Sequence, residues 1–192
     1  MLTWHTPGEQ IRLAQMILVI CCLCYGKWWY VAFRPEADNR TLAGYKGGWF
    51  ALTIITGSIG VFLNAAGVHA LPEAVDCSVH DICRYGVIAY VVLLVLTFGL
   101  LRRPITAELA LIVAWCGMEI SAVQALASGK YLPDNTAAIL VSATFGATSL
   151  FLLAYTVYYK LEAVNAKAAF WLGMVPLALA AMIMGAVAFS VV

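Results

Sequence analysis

Six stretches of predominantly apolar residues, each about the length needed to cross a membrane as a helix, leave this chain few folds to choose from. They run over residues 11–33, 49–71, 85–101, 105–127, 137–159 and 170–192, separated by short polar breaks. A hydrocarbon core of about 30 Å takes roughly 20 residues at the helical rise. At 64% apolar and 11% charged residues, the chain has too little polar surface for a soluble domain of its size. The expectation is an all-α integral membrane protein with one domain over residues 1–192. The six spans use nearly all of it, which excludes a separate catalytic or nucleic-acid-binding domain, so any function sits in or on the bundle. Its first partner is the lipid bilayer.

Charge distribution sets the expected orientation. Arg34, Arg40, Lys46, Arg102, Arg103, Lys160 and Lys167 fall on one side of the six-span arrangement. The other side holds Arg12, Arg84 and Lys130 with Glu9, Glu73, Asp76, Asp81 and Asp134. The positive-inside rule then puts both termini outside, in a multi-pass protein of the plasma (inner) membrane. The opening MLTWHTPGEQ carries neither a basic n-region nor a small-residue cleavage site, so no removable signal peptide is read.

The outer loop EAVDCSVHDICR contains Cys77 and Cys83, which an oxidising compartment lets pair as a disulfide. The same loop also reads as a Cys-x2-His-x2-Cys metal cluster of Cys77, His80 and Cys83, or as two free thiols. Cys21, Cys22, Cys24 and Cys116 lie inside spans and read as small buried hydrophobes.

The inner breaks RPEADNRTLAGYKGG, RRP and KLEAVNAKAA each carry turn chemistry, giving three helical hairpins as internal repeats. FLNAAGVHAL in the second span resembles GMEISAVQAL in the fourth, aligning Asn64 with Glu119 and His69 with Gln124. Counted from the inner helix ends, Asn64 and Glu119 are both about 14 to 15 residues in, roughly 22 Å, with Gly185 at that depth in the sixth span. Small residues at 3-4 spacing mark the second (Thr53, Gly57, Gly60, Asn64, Gly67), fourth (Ala107, Ala110, Ala114, Gly117, Ser121, Gln124, Ser128), fifth (Ala138, Ser142, Gly146, Ser149) and sixth spans (Ala178, Ala181, Gly185, Ala188). Such stripes let helices approach closely where no hydrophobic effect drives them together, so these four are expected to pack tightly. A narrow pore lined by the same small residues is the competing reading.

An ionisable side chain within a span is costly and is a functional candidate by default. Glu119 shares a helix face with Glu108, Ile112 and Trp115, away from the small-residue stripe, and no Lys or Arg lies at its depth. That suits a proton-coupled or hydrogen-bonding role; a purely structural hydrogen bond to a carbonyl or to Asn64 is the alternative. Asn64, Gln124 and His69 complete the set of pore-lining or polar intramembrane candidates, although His69 lies near the outer end of its span. Lys27 is expected to extend toward the inner headgroups. Trp28, Trp29, Tyr30, Trp49, Tyr155, Tyr158, Tyr159 and Trp171 gather at the inner ends and read as an interfacial aromatic belt. HExxH, GxSxG and Gly-rich phosphate loops are missing, and the three His form no facing pair in the membrane, so neither an enzyme nor a cofactor is expected.

Six helices in three hairpins with both termini outside, together with TFGATSLFLLAYTVYYK and NAKAAFWLGMVPLALAAMIMGAVAF, resemble the urea and amide channel family and, in architecture, the acetate permeases. The glutamates of the last two helices of urea channels are not matched, Tyr155 to Tyr158 and Val175 to Pro176 standing there, nor is the Asn-Gly of their first helix. The resemblance implies an oligomeric ring of protomers, each passing a small polar solute. The resulting expectation is a small-solute channel or permease; the alternative is a non-transporting accessory or anchor subunit of a larger membrane complex, such as a redox complex.

Overall fold

The structure, a computed structural model, describes residues 6–33, 43–71, 104–161 and 164–191, together with Ile88, Val91, Val92 and Val95. Among these residues the chain is helical and has no strand. The five helices are α1 (Pro7–Phe33), α2 (Ala43–His69), α3 (Pro104–Ser128), α4 (Asp134–Leu161) and α5 (Ala166–Ser190). Four segments are long and apolar enough to cross a membrane: Pro7–Val31, Gly47–His69, Asp134–Ala154 and Ala166–Ser190. In α3 the apolar part Ile112–Ser128 is shorter. Of the expected third span only Ile88, Val91, Val92 and Val95 are described, all helical and exposed. Cys77, His80 and Cys83 lie outside the described residues.

Around the bundle α1 touches α2 and α5, α5 touches α4, α4 touches α3, and α3 returns to α2. This closed order buries two apolar clusters at different heights. One joins Ile11 of α1, Val68 and Leu71 at the end of α2, Ala122, Val123, Ala125 and Leu126 near the end of α3, Leu132, Ala137 and Leu140 around the start of α4, and Val187 near the end of α5. The other joins Leu18, Val61, Ala147, Phe151, Ala180, Ile183 and Met184. The first cluster therefore holds the start of α1 and the end of α5 at one end of the bundle. It also holds the ends of both α2 and α3, which run parallel.

The close approach is between α1 and α2. A Cβ on Gly60 would lie 2.6 Å from Leu18 Cγ, and one on Gly67 would lie 2.6 Å from Ile11 Cγ1. Glycine at both positions lets the α2 backbone rest on α1 side chains. The other small-residue stripes behave differently from expectation. On α4, Ala138, Ser142, Gly146 and Ser149 are exposed, and a Cβ on Gly117, Gly146 or Gly185 would meet no described atom within 4 Å. Ser142 and Ser149 donate to the carbonyls of Ala138 and Phe145 on their own helix, so they face outward with their hydroxyls satisfied.

Trp29 also departs from the belt reading. It is buried, lies across Gly173, donates from Nε1 to the Phe170 carbonyl at 3.3 Å, and has its ring centroid 5.6 Å from that of Tyr158. It joins α1 to α4 and α5 instead of facing headgroups. Lys27 is exposed with Nζ 5.5 Å from the Tyr30 ring centroid.

The α3–α4 turn ends α3 without a left-handed glycine. Tyr131 N donates to Leu126 O at 2.8 Å and Lys130 N to Ala127 O at 3.0 Å, the paired bonds of a Schellman closure. The left-handed position is Lys130, at φ 61°. At α5 the Asn165 side chain accepts from Ala168 N at 3.1 Å, capping the helix start.

Candidate functional site

Between the two apolar clusters lies a polar layer. Along α1, Gln15 stands between Ile11 of one cluster and Leu18 of the other; along α2, Asn64 stands between Val68 and Val61. Glu119 occupies the same level of α3 and Thr144 that of α4, between Leu140 and Ala147. All four side chains are 0% exposed.

The local sequence explains why they meet. Gly60, Asn64 and Gly67 share one face of α2, as Ile11, Gln15 and Leu18 share one face of α1. The two glycine contacts thus bracket Gln15 by one turn on either side, and the helices close until its amide reaches across. Gln15 Nε2 donates to Asn64 Oδ1 at 3.3 Å and to Glu119 Oε2 at 3.2 Å. Gln15 is the bridge that ties α1, α2 and α3 together within the bundle.

Much of the layer's hydrogen-bonding capacity remains unused. Gln15 Oε1, Asn64 Nδ2, Glu119 Oε1 and the nearby Trp115 Nε1 are buried without a partner among the described residues. Trp115 lies one turn from Glu119 on the same face, with its ring centroid 5.4 Å from that of Phe151. By contrast, Thr144 donates to the Leu140 carbonyl and Ser121 to the Gly117 carbonyl, each at 2.8 Å. Buried polar atoms are nearly always paired, so four orphans around one layer, two donors and two acceptors, set it apart from the rest of the bundle. Glu119 has no Lys, Arg or His partner among the described residues, which also contain no group of His, Cys, Asp and Glu suited to a metal ion.

Of the four residues expected to line a polar path, Glu119 and Asn64 come together, through Gln15. Gln124 does not join them: it is exposed on the opposite side of α3. His69 is exposed in the last turn of α2, well above the layer. The sequence did contain a signal for Gln15, the one Asn, Gln, Asp, Glu, Lys or Arg between Arg12 and Lys27. Thr144 carried none, being one of several hydroxyl residues in its span.

The fold and site together define a helical protein with segments long and apolar enough to cross a membrane and a buried polar layer inside its bundle. Comparison with family models, with curated proteins and with solved structures gives no match.

Proposed function

We propose that this protein moves a small polar solute across the membrane, as a channel or permease, with the Gln15–Asn64–Glu119 layer as the point of selection. The observation that carries the reading is a fully buried carboxyl, with no counter-charge among the described residues, bonded to one amide that also bonds a second from another helix, with hydrogen-bonding atoms left over on all three. A purely structural network gains by pairing every member, since a partly satisfied one costs stability. This one leaves room for a visitor. The small-solute reading is not enzymatic and needs no cofactor.

The membrane arrangement belongs to the same proposal. Because α2 and α3 run parallel, the chain between them starts at one end of the bundle and finishes at the other, which supports a further crossing there and six spans in three hairpins. We place both termini on the outer side of an inner membrane.

Flux in proteoliposomes holding only this protein tests the reading, using stopped-flow swelling with urea, acetamide, acetate, formate and methylammonium. Uptake of at least one solute that changes in Glu119→Gln is the expected result. No uptake by folded protein would sink it.

A second reading has one observation of its own. The outward stripe Ala138, Ser142, Gly146 and Ser149 offers a smooth face on α4 suited to another helix, as in an oligomer of this chain or in an accessory subunit of a larger complex. It predicts co-purification with a partner and no flux from the isolated chain.

A further inference from the structure

We propose that the polar layer binds a small monovalent cation, which takes the place of the proton on Glu119. This rests on reading the layer as the point where the solute is held, and it names the charge of that solute.

The sign of charge follows from what surrounds the carboxyl. Gln15 of α1 donates to Glu119 and to Asn64 of α2, Cys22 of α1 lies near the carboxyl, and Thr144 stands buried at the same level of α4, while Met184 and Val187 of α5 complete the two clusters on either side of the layer. None carries a positive charge. A buried carboxylate without a counter-charge is strongly disfavoured, so the layer holds either a proton or a cation on Glu119. An anion would add a second negative charge where no described residue offsets the first, which sets this site against acetate and formate.

The unpaired atoms fit the same occupant. Gln15 Oε1 and Glu119 Oε1 are free acceptors, and the Thr144 hydroxyl, having given its hydrogen to Leu140 O, still has lone pairs. These are three buried acceptor oxygens at one level of the bundle, on α1, α3 and α4, the kind of atom a cation or its N–H groups takes. The free donors Asn64 Nδ2 and Trp115 Nε1 suit the oxygen of a water carried in with the cation. The exchange balances: the carboxylic acid gives up its proton to water, the carboxylate keeps the electron pair, and the cation neutralises it. The layer is uncharged overall in both states, so the swap buries no net charge.

The test uses purified full-length protein in lipid nanodiscs in weakly buffered solution with a pH-indicating dye. Sodium and methylammonium are added in separate arms, and choline at equal ionic strength serves as a cation too large for the layer. Release of close to one proton per chain with sodium or methylammonium, absent with choline and absent in Glu119→Gln, is the expected result, and the arm that responds separates an alkali ion from an ammonium. No release in either arm, or an unchanged release in Glu119→Gln, overturns the proposal. Should Glu119→Gln fail to fold, the native protein answers through dicyclohexylcarbodiimide labelling of Glu119 followed by mass spectrometry. The responding cation should slow that labelling, and equal rates with and without it would overturn the proposal equally. Flux of neutral solutes without proton release leaves the transport reading standing and removes only this one. Release without any flux does the reverse.

Discussion

Gln15 donates through one nitrogen to acceptors on two other helices, so losing its amide strands both at once. A hydrogen bond between helices in a membrane averages about 0.6 kcal/mol, and a buried group left unpaired costs about 1–3 kcal/mol. We therefore expect Gln15→Leu to destabilise the protein by about 1–2 kcal/mol in detergent unfolding, more than Gln124→Leu, whose side chain is exposed. Equal effects would mean the bridge does not form. Lys130 gives the opposite sign. A non-glycine residue in the left-handed region is strained by about 1–2 kcal/mol, and glycine returns part of that as unfolded-chain entropy. Lys130→Gly should raise stability by about 0.5–1 kcal/mol, and a loss would contradict the positive φ. At this scale Glu119 was legible because a carboxyl in an apolar span is rare, and Asn64 because its depth matched. Gln124 misled because five residues past Glu119 turns the side chain about 140° around the helix. Gln15 was visible but passed over, since an amide is not ionisable and its value lies in reaching two neighbours that only the packing reveals.

Helix pairs turn on where small residues meet something. On α2 the glycines at 60 and 67 press against Leu18 and Ile11, whereas Gly146 of α4 has space around it. A methyl on Gly60 would have to displace Leu18 Cγ, a branched atom near its own backbone, and overpacking of this kind costs about 1–3 kcal/mol. Gly60→Ala should lower the melting temperature in detergent and, by moving α2 away from α1, lengthen the Gln15–Asn64 bond and impair flux. Gly146→Ala should leave both unchanged or gain slightly from helix propensity, worth up to about 1 kcal/mol. The two variants behaving alike would remove the α1–α2 seam from the account. The stripes were readable in the sequence as faces able to approach another helix. Which of them do so inside this chain was not, because the close partner of α2 is α1, whose contacting residues Ile11 and Leu18 are large and carry no small-residue signature.

For the molecule as a whole, the direction of each helix constrains how it sits in the membrane. Ile11, Val68, Leu126, Leu140 and Val187 share one cluster, which puts the start of α1, the α3–α4 turn at Lys130 and the end of α5 at the same end of the bundle. The α4–α5 turn at Asn165 lies a helix length away, since α4 runs from Asp134–Leu161 and at 1.5 Å per residue covers about 40 Å. Turns on opposite sides of a membrane must answer differently to a reagent that cannot cross it, and the charge asymmetry of the sequence predicts which side is which. In cells expressing a form with Cys77 and Cys83 changed to serine, a cysteine at Lys130 should react with an impermeant maleimide from outside. One at Asn165 should react only after permeabilisation. The reverse pattern would invert the orientation while leaving the bundle intact. Both positions labelling from outside would be incompatible with α4 crossing the membrane, and would take the sealed polar layer out of the bilayer on which the transport reading depends.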